Sequence, residues 1–460
     1  MKTKSINQYI LVYSLFIIGI LSTSCTSQVE IDAPTDRIDH SEVYKDIGTT
    51  KAALNSLYLD LELSAIFNKA SSGVSFNMSL FTDELDFYGT SSIIKDIYEN
   101  NFTDNNSTIN SWWNNSYQNI YRINAFIEGV NGSPVLGIDL KKSLLGEAYT
   151  LRALYYHYLV ILFGDVAYTT STDYNINQNL KRLPYQEVLL KIESDLKEAI
   201  QLLDYSYRDP NRFYINKAIA EVILIENYII QEKFNEAEKV AHQIIDKDLF
   251  QIEDDLSKTF KNQAQSTIWQ IAPRYASRIT SEASLYLFSN FTISSATISN
   301  NLLELFDNKD NRKKDWLNKI SINNQEFYQV YKYKTQANNT DEYSIFYRIE
   351  QVYFHLAYSL AMQGNIEKAI ESLNVVRHKR GLDNLPSNLN QQQFITNYLE
   401  ESSREFFTEN ARRFIDLKIT NTLNDLKLIK TNFQPHHNLL PIPFRQMEIN
   451  KNLRPNNPGY

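Results

Sequence analysis

Twelve glycines in 460 residues set the first limit on what this chain can become. They stand at 19, 48, 73, 89, 129, 132, 137, 146, 164, 364, 381 and 459, and no two of them are two apart. No G-x-G turn, P-loop or nucleophile elbow can be written, which removes the common nucleotide folds and the serine-hydrolase elbow. With only 11 prolines as well, the chain suits long helices better than a turn-rich β-sandwich. Apolar residues at 43% and charged residues at 22% are those of a folded globular protein, so wholesale disorder is excluded.

The start of the chain bears on its compartment. Lys2 and Lys4 precede an uncharged apolar run, Ile10 to Leu21, followed by Ser22-Thr23-Ser24-Cys25. A basic end, a short apolar core and small residues before a cut site make a secretory signal over residues 1–24. The run is too short for a hydrocarbon core that needs about 20 residues. Cys25 is the only cysteine, so an intramolecular disulfide is impossible. Its use is expected to be as the acylated first residue of a lipoprotein, although Leu21 stands four residues before it rather than the usual three. Removing the leader takes away two lysines and no acid, leaving a chain more acidic than the net −8 of the whole. Without a basic block there is no footprint for nucleic acid.

Residues 25–48 read as a tether and 49–460 as one helical domain. Helices are predicted at about 49–62, 109–130 and 139–163. The last places Leu144, Ala148, Leu151, Tyr155, Tyr158, Leu159 and Leu162 on one broad apolar face, and Gly164 ends it. Residues 217–246 and 349–378 each read as helix, turn and helix. Aligning Ala237 with Ala369 puts Leu224 over Leu356, Ile225 over Ala357 and Tyr228 over Leu360. This is the tetratricopeptide pattern, with Ile225 large for its small position. Between the two units, about 247–345, helical period is lost and short β-like runs such as Thr267 to Ile271 suggest an irregular insertion.

No reaction is favoured by the chemistry-bearing residues. Asp83, Glu84 and Asp86 cluster, but sequence proximity does not set the separation a glycosidase needs, and a solvated loop is expected. His436-His437 are adjacent, so their side chains diverge, and none of the seven histidines has metal-ligand spacing. Arg404, Glu405, Glu409, Arg412, Arg413 and Asp416 read as alternating helix charges engaged in intrahelical pairing and docking. No cofactor, metal or catalytic set is expected.

Several blocks taken in order resemble the SusD/RagB family of outer-membrane nutrient-binding lipoproteins. Trp113, Tyr117, Ile120 and Asn124 match a W-x3-Y-x2-I-x3-N helix. Residues 145–165 resemble the family's G-E-A-x2-L-R-A segment through Gly146, Glu147, Ala148, Leu151, Arg152, Ala153, Tyr156, Val160, Phe163, Gly164 and Asp165. Residues 182–203 supply the next element. Arg377, Arg380 and Gly381, then Arg404-Glu405-Phe406, Glu409, Arg412 and Asp416-Leu417, resemble the later blocks, with Asn410 where glycine is usual. Leu440-Pro441-Ile442-Pro443 and Asn457-Pro458-Gly459-Tyr460 resemble its carboxyl end. These residues read as scaffold, with Glu147, Arg152 and Asp165 satisfying helix ends and buried polar groups.

The resemblance implies a mainly α fold with four tetratricopeptide-like helix pairs and loop or short-strand insertions. It implies a non-enzymatic lipoprotein, anchored in the cell outer membrane through Cys25 and facing the exterior. Such a protein captures a glycan or oligosaccharide and delivers it to a TonB-dependent transporter of the SusC type; peptide or glycopeptide capture is the alternative. A glycan site needs exposed aromatics beside polar side chains. Aromatics at helical spacing are core by default, so the expected ligand residues lie in non-periodic segments. They are Asp86, Tyr88, Tyr98 and Asn101 in the first long loop, and Arg274, Tyr275, Tyr286 and Trp316 in the insertion. Trp269, in a β-like apolar run, is expected in the core.

Overall fold

The computed structural model describes residues 40–460; the leader and Cys25 lie outside the described residues. Residues 40–48, expected as tether, are held on the scaffold: a single turn spans His40–Val43 and Tyr44 is buried. Helix α1 (Ile47–Leu63) starts where Asp46 accepts a hydrogen bond from Thr49 N, and it buries Thr50, Leu54, Leu57, Tyr58 and Leu61. After α2 (Val74–Phe81) and α3 (Ser92–Tyr98), Asn106 caps α4 (Ser107–Gly132). Helix α5 (Ile138–Phe163) is buried on nearly every side through its second half. Gly164 ends it at φ +73°, in the left-handed region that glycine enters without penalty. Helices α6 (Tyr185–Leu202), α7 (Lys217–Ile230), α8 (Phe234–Ile245), α9 (Ile349–Met362), α10 (Ile366–Lys379), α11 (Gln391–Phe406), α12 (Arg412–Ile419) and α13 (Phe444–Ile449) follow.

The helices pair as α1 with α4, α5 with α6, α7 with α8 and α9 with α10, a tetratricopeptide-like architecture. The aligned positions behave as the pattern requires. Ala237 and Ala369 are fully buried, as are Ile225 and Ala357, because the helices of each pair approach too closely for exposed side chains there. Helix α8 also packs on α9. The chain therefore leaves after one repeat, travels through the insertion and returns to stack the next repeat on the last.

The insertion is built of short pieces. Strand β4 (Thr267–Gln270) pairs antiparallel with β8 (Ile345–Arg348), with an irregular register. Strands β6 (Leu317–Ile322) and β7 (Gln325–Val330) form a hairpin closed by Asn323 and Asn324, both at positive φ, as a two-residue turn between right-twisted strands demands. Strand β5 (Ala296–Ile298) reaches back to β1 (Leu85–Phe87), with Leu85 opposite Ile298 and Phe87 opposite Ala296. A two-stranded pair of β2 (Val166–Ala167) and β3 (Arg182–Leu183) sits beside the end of α5.

The insertion has its own apolar core. Phe76, Leu80, Phe260, Ile298, Phe306 and Phe407 surround Tyr286 and Trp316. Trp316 is 1% exposed, packed between Phe260 (5.3 Å) and Phe407 (6.4 Å). Both residues were expected at a ligand surface; they are core instead, because a non-periodic segment can still fold over an apolar centre. Trp269 is buried as expected, its Nε1 donating to Phe213 O (3.1 Å).

Candidate functional site

The residues that resemble family scaffold are tied into the interior. Arg152 grips Asp195 with two hydrogen bonds (2.8 and 2.7 Å) and donates to Asn124 Oδ1 (3.0 Å). Glu147 accepts from Tyr58 and pairs with Arg208 (3.0 Å). Asp165 accepts from Tyr185 N at the start of α6 (2.9 Å).

The charges of α11 and α12 divide between pairing within the helix and docking onto other segments. Arg412–Asp416 (2.8 Å) and Arg404–Glu401 (2.7 Å) do lie within one helix. Glu405, however, takes Arg312 (2.8 Å), Arg348 and Arg380 (2.8 Å) from three other segments, all fully buried. Glu409 takes Lys332 (2.6 Å) and Arg348 (3.0 Å). These guanidinium groups outweigh desolvation: Glu405 is held well below the usual carboxylate range and Glu401 at about 2. Carboxylates depressed in the folded state add stability above their unfolded value of about 4.3 and lose it as pH falls through the folded value. Urea midpoints should therefore drop steeply between about pH 4 and pH 2, and a flat profile over that range would contradict these assignments.

The Asp83-Glu84-Asp86 cluster is not the solvated loop expected. Asp83 pairs with Arg413 through two 2.7 Å bonds. Glu84 is buried and pushed up to about 7 by desolvation, with Ser79 and Thr408 N as donors. Asp86 is half-buried. His437 is a packed core residue against Phe102 (5.2 Å), pushed down to about 4 by burial. Among the described residues no group of three or more His, Cys, Asp or Glu could hold a metal ion.

What the structure assembles around Asp86 is an aromatic platform. Tyr88 follows β1, its N–H donating to Ser295 O (2.9 Å), so its ring lies over the loop before β5. The ring stacks on Phe291 with centroids 5.0 Å apart and planes 7° from parallel, and Phe327 abuts it edge-on (5.0 Å). Tyr88 keeps 38% of its surface exposed. Gly89 permits the close approach: a Cβ there would stand 2.3 Å from Ile293 O. Beside the platform, Tyr98 donates to Asp86 Oδ1 (3.1 Å), and Lys430 lies 3.9 Å from the Tyr98 ring centre. Burial and the Asp86 charge push the Tyr98 phenol up. Asn101 is exposed just beyond, its N–H bonded to Asp96 O (2.8 Å).

Arg274 and Tyr275 ride on another loop. Tyr275 is 63% exposed, with Arg278 5.8 Å from its ring centre. Arg278 pairs with Glu62 at the edge of a small polar cleft shared with Asn68, Lys69 and Ser344. Of the eight expected ligand residues, the structure thus groups Asp86, Tyr88 and Tyr98, leaves Asn101 exposed three residues after Tyr98, sets Arg274 and Tyr275 apart, and buries Tyr286 and Trp316. Phe291 and Phe327 were missed. Phe288 and Phe291, flanking Ser289-Asn290 in a non-periodic run, carried the same signal that singled out Tyr88.

A groove of about 870 Å³ lies elsewhere, where α5, α7, α9 and α12 end. Its lining is mixed: Ile161, Ile229, Met362 and Ile419 stand beside polar and charged groups such as Arg182, Asn421 and Arg454. Lys418 crosses it to donate to Ile161 O (2.5 Å) and Asn438 O (2.9 Å), capping α5, and burial pushes its ammonium down to about 7. No expected ligand residue lines this groove.

Comparison with known proteins bears on the fold. A SusD-like family model described as "Starch-binding associating with outer membrane" matches residues 49–224. SusD-like protein P2 of Formosa agariphila is 23% identical, over 97% of this chain and 99% of its own. A SusD superfamily protein from Bacteroides vulgatus superposes with a TM-score of 0.79 at 17% identity, covering 91% of this chain and all of that one. Surface glycan-binding protein A from Bacteroides thetaiotaomicron, solved with laminarihexaose, gives 0.76 at 16% identity, covering 89% of this chain and 99% of that one.

Proposed function

The chain belongs to the SusD/RagB family, and on that premise we propose that it captures a glycan at the cell surface without transforming it. It is held to the outer membrane through acylated Cys25 and hands its ligand to a TonB-dependent transporter of the SusC type. The observation that carries the reading is the Tyr88 ring, exposed on one face and backed by Phe291 on the other. Sugar rings present apolar C–H faces that gain from lying on a flat, pre-ordered aromatic, while neighbouring polar groups bind the hydroxyls. Phe291 and Phe327 hold the ring in place, so little side-chain entropy is lost on binding. Asp86 and the Tyr98 hydroxyl supply polar groups at its edge. The relatives' names point the same way, toward glycan binding and away from catalysis. Peptide capture draws no such support.

The test is calorimetry against a panel of neutral oligosaccharides that includes β-glucan fragments. Tyr88→Ala should weaken binding about tenfold, or ~1.4 kcal/mol, with an unchanged circular dichroism spectrum. Tyr275→Ala measured alongside shows whether the second loop touches the same ligand. Full affinity in Tyr88→Ala would move the site off this platform.

A further inference from the structure

The end of the molecule where the described chain begins has a surface that glycan capture does not use. Ser133 Oγ donates to Tyr44 O (2.6 Å), and Tyr44 Oη donates to Ala125 O (3.3 Å). Residues 43–47 are thereby clamped to the turn between α4 and α5. The tip of that turn is apolar on its outside. Ile138 is 75% exposed, and Val135 and, on the clamped segment, Ile47 are exposed too. Leu136 between them is buried, which fixes the turn's shape.

Charge at this end differs from the rest of the surface. Lys45 pairs with Glu42 (2.6 Å), Lys142 faces Asp139 (3.8 Å), Lys141 reaches Asn131 O (3.2 Å) and Asp46 caps α1. Lys51 is exposed nearby. Glu128, which faces Tyr44, is exposed here too, so four lysines accompany four acids, on a chain whose net charge is −8. An apolar tip ringed by balanced charge suits a phosphate-bearing lipid surface better than the acidic remainder does.

We propose that Ile47, Val135 and Ile138 form the face on which the protein rests against the membrane. The inference depends on the Cys25 anchor of the preceding reading. Fifteen peptide steps separate Cys25 from His40, a reach of at most about 54 Å. The anchored segment thus enters the domain at this end, beside the clamped residues, and a small apolar contact there suffices to orient the domain. The consequence concerns the glycan platform. Asn106, the cap of α4, donates to Ile93 O in α3 (3.2 Å), so the Tyr98 side of the platform sits at the opposite end of α4. That helix has 26 residues and is about 39 Å long. Resting on the tip therefore raises the platform clear of the lipid.

The experiment uses full-length acylated protein in phosphatidylethanolamine–phosphatidylglycerol vesicles carrying brominated acyl chains, which quench tryptophan on contact. All four native tryptophans are buried and give a constant background. The added fluorescence of Ile138→Trp should fall by more than half and shift to the blue. Leu428→Trp, at a site 78% exposed next to Lys430 and hence beside the platform, should be unaffected. Equal quenching at both positions, or none at 138 while the protein co-sediments with vesicles, overturns the resting face and leaves the anchor standing. Failure to co-sediment overturns the anchor itself, and this inference with it.

Discussion

Glu405→Ala should cost about 3–5 kcal/mol of stability, enough to leave much of the protein unfolded at growth temperature. The carboxylate is fully buried and faces the guanidinium groups of Arg312, Arg348 and Arg380. Removing it does not merely delete three ion pairs. It leaves three cations in the interior with fewer anions to balance them, and water cannot enter to solvate them. Arg312 and Arg348 belong to the insertion, Arg380 to the end of α10 and Glu405 to α11, so the mutation also loosens the join between insertion and helical stack. Glu405→Gln keeps the shape and one acceptor, and should be damaging for the same electrostatic reason. Glu326→Ala, which removes the exposed partner of Lys319 in the β6–β7 hairpin, should leave the urea midpoint where it is. A Glu405→Ala protein as stable as the wild type would mean that the network is hydrated or arranged differently.

Cys25→Ala should shift the protein from the membrane pellet to the soluble fraction almost completely. Acyl chains contribute roughly 0.8 kcal/mol for each buried CH₂, and two or more are needed for lasting attachment. Among the described residues no helix is long and apolar enough to cross a membrane, so nothing there replaces the anchor. The resting face inferred above cannot do so either, since a few exposed side chains bind lipid weakly without a leash. The measurement is fractionation, together with incorporation of labelled fatty acid, in cells lacking the transporter partner. Persistent membrane retention of the variant in those cells would contradict lipid anchoring through this residue.

The helices were legible because helix formation leaves a local record. Apolar residues three and four apart mark α5 along its length, and Asn106, Asn216 and Gly164 punctuate helix ends at positions that need no knowledge of the rest of the chain. The small residues Ala237 and Ala369 likewise announced close helix pairing. Where period fails, the sequence states only what a residue is, not what will cover it. Tyr88 and Trp316 looked alike, aromatic residues in irregular segments. Phe260 and Phe407 closed over one, while Phe291, some two hundred residues away, came to lie beneath the other and left its second face free. Glu405 could be read as a paired or docked helix charge, but its partners 312, 348 and 380 could not be named, because they are distant in the chain. Backbone periodicity is set within a few residues, and the sequence determined it. Burial and charge pairing are sums over neighbours brought together by the fold, and only the tertiary structure decided those.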